Sequence, residues 1–222
     1  MFGSLGSDST LAAVTDLAAH VRDHLALAGS ALGLALAVAL PVGALAARSE
    51  RLRGPLTGLL GAARVVPSLA ILALAIPTLG IGFKPALLAL VLLAIPPIAI
   101  NTEIGLRSIP EALRDAAVGL GMSRGQLGRR IEWPLALPVV FTGIRTAGVE
   151  VIASASLAAF IGGGGLGEYI VNGLASNDLP TLLEGAIAVA VLALITELAL
   201  GAIERQLAAR AHLADAENPA AS

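Results

Sequence analysis

The chain has no cysteine, which excludes a disulfide framework and any thiolate metal site. Charge is scarce: 14% of residues are Asp, Glu, Lys or Arg, where soluble domains carry about 25%. With 56% hydrophobic residues and a mean hydropathy of +0.86, the composition excludes an ordinary soluble domain and predicts a membrane protein. Aromatics are almost absent: Phe2, Phe83, Trp133, Phe141, Phe160 and Tyr169 are all there are. The three histidines, His20, His24 and His212, fall outside the apolar runs. His20 and His24 can share a helix face, but a metal site needs more ligands, so a solvated face and no metal are expected. No G-x-x-x-x-G-K-[ST] phosphate loop occurs, so ATP hydrolysis by that route is excluded and no catalytic residue is expected. The N-terminus lacks the basic start and small-residue cleavage site of a secretory signal. No long soluble segment and no internal repeat is visible, which predicts one membrane domain.

Five apolar runs are present, over 25–47, 55–79, 85–101, 134–160 and 182–203. The first carries no charge and is long enough to cross about 30 Å of hydrocarbon. Before it, Leu11, Val14, Leu17, Val21 and Leu25 have helical apolar spacing, which predicts an amphipathic helix at the membrane surface. Arginines cluster after the first, third and fifth runs: Arg48, Arg51 and Arg53, then Arg107, Arg114, Arg124, Arg129 and Arg130, then Arg205 and Arg210. The other connections hold only Lys84. Basic loops stay cytoplasmic, so the N-terminus is expected outside and the C-terminus inside. The expected organisation is an extracytoplasmic segment over 1–24, a membrane domain over 25–210 with a cytoplasmic loop at 107–133, and a disordered cytoplasmic tail over 211–222.

Charges and prolines interrupt the runs. Arg64, Arg145 and Glu150 fall at hydrocarbon depth, where ionisable side chains face the bundle interior and find partners. An Arg–Glu pair across the bundle is one expectation, either as a structural staple or as a solute contact. Glu103, Glu184 and Glu197 lie nearer the run ends, where snorkelling to water is cheaper. Pro67, Pro77, Pro96, Pro97 and Pro138 each remove a backbone donor. Such breaks are tolerated in lipid where protein or a water-filled cavity meets them, so Arg64, Pro67, Ser68, Arg145 and Glu150 are candidates for lining a path. Packed kinks are the alternative. Gly162, Gly163, Gly164, Gly165 and Gly167 formally contain G-x-G-x-x-G, but no strand precedes them, so a dinucleotide site is not expected. A flexible outer loop is expected instead, acting as a gate hinge or as a plain turn.

One long polar island remains, Asp115 to Pro134. Asp115 to Leu120 can form a short helix with an acidic residue in its first turn. Ala116 and Ala117 allow close approach of another surface. Gly119 and Gly121 interrupt the helix and permit a tight turn. Ser123 can cap a second short helix over 124–131. A helix-turn-helix knob is predicted.

The island's spacing, Asp-Ala-Ala, three residues, Gly121, nine residues, Ile131, one residue, Trp133-Pro134, resembles the E-A-A-x3-G-x9-I-x-L-P loop of ABC importer permeases. Asp115 stands for Glu and Trp133 for Leu. Further stretches are similar to the permeases for glycine betaine, choline, carnitine and related osmoprotectants. They are VPSLA from Val66, TLGIGFKP from Thr78, GLGMSR from Gly119, PLALP from Pro134, GIRTA from Gly143 and LAAFIGGGGLG from Leu157. The resemblance covers most of the chain. It implies an all-α membrane protein with the type I ABC importer (MetI-like) permease fold and five transmembrane helices in the cytoplasmic membrane. It implies that Asp115, Ala116, Ala117, Gly119, Gly121, Met122, Ser123, Arg124, Ile131 and Pro134 couple to a cytoplasmic ATPase dimer, which holds ATP-Mg. It implies a separate extracytoplasmic solute-binding protein and a second permease copy or paralogue in the bilayer, and no nucleic acid. The solute is implied more loosely, since similar importers take thiol-histidine betaines such as ergothioneine, or bile acids. Aromatic cages usually hold quaternary ammonium groups, and this chain has little aromatic material for one. A different class, an ion-driven secondary transporter with Glu150 or Glu103 as its proton site, would need no ATPase.

Overall fold

The computed structural model describes the main chain of residues 5–216 and the side chains of residues 14–209. Everything regular among them is helical: α1 Leu5–Arg48, α2 Glu50–Ala63, α3 Ser68–Leu79, α4 Phe83–Arg107, α5 Glu111–Gly119, α6 Arg124–Leu127, α7 Trp133–Ala155, α8 Gly167–Ser176 and α9 Leu179–Ala216. A π turn, Gly128–Glu132, joins α6 to α7, and a 3-10 turn, Ser156–Ile161, follows α7. The expected tail begins inside α9, which runs to Ala216; residues 217–222 and the side chain of His212 lie outside the described residues.

Four of the expected spans are unbroken. Helical stretches of 35 residues at Val14–Arg48, 25 at Phe83–Arg107, 38 at Arg124–Ile161 and 31 at Leu179–Ala209 are long and apolar enough to cross a membrane. The second run differs from its expectation. It is a bent pair, α2 and α3, with 92° between them. Pro67 explains the break: it has no N–H, and it pushes Val66 out of the helical region. α3, with 12 residues, rises about 18 Å, short of the roughly 30 Å of hydrocarbon. The other prolines do not break their helices: Pro77, Pro96, Pro97 and Pro138 all lie inside continuous ones. Nor is there a separate surface helix over 11–25, because α1 runs unbroken through it.

The chain forms two compact units, one from residues 1–33, 66–93 and 149–195, the other from 34–65, 94–148 and 196–222. In the second unit, glycines let helix backbones touch. A Cβ on Gly43 of α1 would lie 2.5 Å from the Ala99 carbonyl of α4, and one on Gly143 of α7 would lie 2.6 Å from the Pro97 carbonyl. Small residues at such crossings let van der Waals packing hold helices together where lipid removes the hydrophobic drive. The fully buried Pro96 and Pro97 sit in this packed zone. Below it, Leu106, Ile109, Ala136 and Val140 form a buried cluster, with Leu40, Ala44, Trp133 and Ile144 packed around it. Glu103, expected to snorkel, is instead 6% exposed. It receives Arg53 at 3.1 Å and Arg107 at 3.5 Å, so α2 is tied to the end of α4 by neutralising a buried carboxylate.

In the first unit, His24 corrects another expectation. It is fully buried, and Nε2–H donates to the Ile152 carbonyl at 2.9 Å. His20 is half-buried, with its ring 5.0 Å from that of Tyr169. The connection expected to be loop at 161–181 holds α8, whose Tyr169 hydroxyl donates to Asp16 of α1 at 2.6 Å.

Candidate functional site

The polar island folds as a knob whose turn is determined residue by residue. α5 ends at Gly119, and Gly121 follows in the left-handed region at φ 82°. Gly121 N–H donates to the Val118 carbonyl at 2.9 Å, and Met122 N–H to the Ala117 carbonyl at 3.1 Å. This pair of bonds is the Schellman closure, which needs a residue at positive φ and therefore favours glycine. Ser123 then starts the next helix. Its Oγ accepts from Gln126 N–H at 3.4 Å while its own N–H donates to Gln126 Oε1 at 2.9 Å. That reciprocal capping box satisfies two otherwise orphaned donors. Gln126 escaped the sequence reading, although Ser-x-x-Gln was its signal.

The second arm of the knob departs from expectation. No loop separates it from the fourth span. α6, the π turn and α7 form one continuous helical stretch. The wide turn has a local cause. Pro134 has no N–H to give to the Arg130 carbonyl, and Trp133 N–H reaches back five residues to Gly128. The knob is therefore rigidly continuous with a membrane helix.

Its faces divide cleanly. Asp115, Ala116, Gly119, Gly121, Ser123, Arg124 and Pro134 are exposed, Met122 and Ile131 are half-buried, and Ala117 is 3% exposed. Ala116 thus offers an open backbone, whereas Ala117 is part of the knob's own packing. Val118 and Leu120, 57% and 86% exposed, add an apolar ridge beside Ala116 and Gly119. Two charged residues absent from the sequence-derived set hold the knob in place. Arg114 donates to the Leu106 carbonyl of α4 at 2.6 Å and to Glu132 at 3.0 Å. Glu132 also faces Arg48, the last residue of α1, at 3.6 Å. Their only signal in the sequence was opposite charge within one short loop.

The in-span candidates separate. Arg145 pairs with α9: Nη1 donates to Glu204 at 2.7 Å and Nη2 to Glu197. Thr142 donates to the second Glu204 oxygen at 2.6 Å. Glu197 and Glu204 are two turns apart on one face, and Gly201 between them leaves room for the guanidinium, whose Cζ would lie 3.3 Å from a Cβ there. Arg145 is therefore a clamp between α7 and α9, and Glu197 does not simply snorkel. Arg64, Pro67 and Ser68 lie together at the α2–α3 break: Arg64 caps α2, Pro67 caps α3 and Ser68 opens it. Glu150 is half-buried on α7.

The glycine stretch is tighter than a flexible loop. Gly162, Gly164 and Gly165 have φ of 71°, 79° and 82°. Gly165 and Gly167 are buried, and a Cβ would lie 3.1 Å from the His24 ring at Gly165 and 2.0 Å from the Ser156 carbonyl at Gly167. A Cβ on Gly163 would lie 2.8 Å from the Ala158 side chain. Gly163, Gly165 and Gly167 are glycine because neighbouring atoms leave no room for a Cβ, and Gly162 and Gly164 because their positive φ favours it.

The sequence matches the family model described as binding-protein-dependent transport system inner membrane component over residues 39–209. It is 43% identical to the carnitine transport permease protein OpuCB of Listeria monocytogenes, covering 88% of this chain and 90% of that one. It is 38% identical to the glycine betaine/carnitine/choline transport system permease protein OpuCB of Bacillus subtilis (83% and 85%), and 40% identical to the osmoprotectant import permease protein OsmW of Salmonella typhimurium (82% and 86%). Among solved structures, a chain of the inward-facing MetNI methionine ABC transporter superposes with a TM-score of 0.75 at 22% identity, covering 86% of this chain and 95% of that one. That likeness establishes the fold.

Proposed function

This chain belongs to the family of binding-protein-dependent transport system inner membrane components, and we propose that it is the permease subunit of an ATP-driven osmoprotectant importer. The solute class, glycine betaine, choline or carnitine, is taken from what its relatives are named for transporting. The observation that carries the coupling role is the knob: an exposed apolar ridge, Val118 and Leu120 beside Ala116, at the end of α5, joined by the closed Gly121 turn to a second arm that is continuous with a span. A surface of that kind fits a groove on a partner and transmits its movement as a rigid body.

In this mechanism the basic loops keep the knob cytoplasmic. Two such permease chains receive two ATPase subunits, which hold ATP-Mg. ATP-driven closure of the ATPases moves the knobs together and turns the bundle outward. A separate binding protein, which carries the high-affinity recognition, releases solute into the path. Hydrolysis on the ATPases resets the inward state, and the permease itself catalyses nothing. Asp115, Ala116, Gly119, Gly121, Met122, Ser123, Arg124, Ile131 and Pro134 shape the docking element, and Ala117 supports it from within. Arg64, Pro67 and Ser68 at the span break, together with Glu150, are the residues assigned to the path. Arg145 clamps α7 to α9 beside it. The packed glycines at 162–167 form the outer gate.

The test is purification from the native membrane, followed by ATPase assay. Recovery of an ATPase whose turnover rises with a betaine-loaded binding protein supports the reading. Purification of the chain alone, with solute moved by a proton gradient in vesicles, would overturn it and make Glu150 the first residue to mutate.

A further inference from the structure

The second arm of the knob lines a cavity of about 390 Å³, formed by Arg124, Gly125, Gly128, Arg129 and Trp133 with Arg48 of α1. Three guanidinium groups share its wall, and no carboxylate does. Arg124 and Arg129 make no ion pair with any described residue. Arg48 has Glu132 at 3.6 Å, but that carboxylate sits closer to Arg114, at 3.0 Å. An adjoining cavity of about 670 Å³, lined by Ser123, Gln126, Arg129 and Arg130 among others, continues the basic surface. Arg124 and Arg129 bring like charge beside Arg48 without counter-ions of their own, so this arrangement is complementary to an anion that the chain does not supply.

Two further features narrow the anion. Gly125 is exposed and a Cβ there would meet nothing within 4 Å, so a bulky headgroup can reach the backbone at that point. Trp133 forms one wall and is the first residue of the membrane helix α7. Tryptophan at the end of a span sits at headgroup depth, and arginine clusters beside a span attract anionic lipid. Guanidinium groups also match phosphate in a bidentate geometry. We infer that this cavity binds the phosphodiester headgroup of an anionic phospholipid, held by Arg48, Arg124 and Arg129 against Trp133. The inference does not depend on which solute the protein carries or on any ATPase.

Trp133 is the only tryptophan in the chain, so it reports on its own site. The full chain is placed in phosphatidylcholine nanodiscs doped with either brominated phosphatidylglycerol or brominated phosphatidylcholine, and tryptophan quenching is measured. Brominated phosphatidylglycerol should quench more strongly at equal mole fraction. R124Q/R129Q should reduce that preference about thirty-fold, the loss expected when two arginines leave an anionic membrane surface. R51Q, an exposed arginine outside the cavity, should leave it intact. Added salt should weaken the wild-type preference, a measurement that needs no variant to fold. Equal quenching by the two lipids, or a preference that survives both R124Q/R129Q and salt, overturns the inference. Inorganic phosphate that perturbs Trp133 in plain phosphatidylcholine and abolishes the lipid preference would make this a free-anion site instead.

Discussion

Replacing Gly121 with alanine should weaken the knob without touching any neighbour. A Cβ at this position meets nothing within 4 Å, so no steric clash contributes. What changes is the backbone: φ is 82°, and an L-residue held in the left-handed region costs about 1–2 kcal/mol. The turn is closed by two main-chain hydrogen bonds, Gly121 to Val118 and Met122 to Ala117, each worth about 1 kcal/mol net. Alanine therefore removes about as much as one of them. The ratio of closed to frayed turn should fall by roughly 5–30-fold. If docking requires the closed turn, the affinity of the ATPase subunit for the permease falls in proportion to the closed fraction, with that factor as the upper limit. Asparagine tolerates positive φ better, so the order of affinities should be Gly121, then Gly121→Asn, then Gly121→Ala. The measurement is ATPase binding to the permease in nanodiscs, with thermal melting of the membrane domain as control. Melting should hardly move, because the turn is exposed. Wild-type binding by Gly121→Ala, or asparagine as poor as alanine, would refute the reasoning, since backbone conformation would then not be the cause.

The remaining predictions concern packing and charge. Glu132→Ala leaves Arg114 without its carboxylate and should cost about 1–3 kcal/mol, seen as a lower melting temperature; Glu132→Gln, which still accepts a hydrogen bond, should cost less. Gly143→Ala places a Cβ 2.6 Å from the Pro97 carbonyl and should destabilise by about 1–3 kcal/mol, whereas Gly29→Ala, with nothing within 4 Å, should be neutral or slightly stabilising. The hydrogen bond to Asp16, and then burial, push the Tyr169 hydroxyl up to about 12. An ordinary tyrosine titrates near pH 10. The stability this contributes is complete below about pH 10 and is lost as pH rises towards 12. Absorbance titration of the chain's single tyrosine should show that late midpoint in wild type, and Asp16→Asn should bring it back towards 10. An unchanged midpoint in Asp16→Asn would sever Tyr169 from Asp16.

The features legible in the sequence were those whose causes lie within a few residues. Apolar run length places a helix in a membrane whatever its neighbours are, so α1, α4, α7 and α9 could be anticipated. The turn at Gly121 and the cap at Ser123 depend on bonds spanning three to five residues, and the residue types that make them are few. Those features, with their spacing, determined the class of protein and the place of its knob. Side chains that act across helices had no such local signal. Arg145 had carboxylates before it at several sequence distances, and only the packing of α7 on α9 selected Glu197 and Glu204. His24 reads as a solvent-facing residue until the Ile152 carbonyl and the glycine turn close over it. Glu103 reads as a snorkelling carboxylate until Arg53 and Arg107 enclose it. Desolvation decides such cases, because a buried polar group is stable only with the partner that the fold delivers. The sequence thus determined the four unbroken spans and the turn and cap of the knob. The tertiary structure alone decided which charges meet, which glycines bear another backbone, and which polar residues leave water.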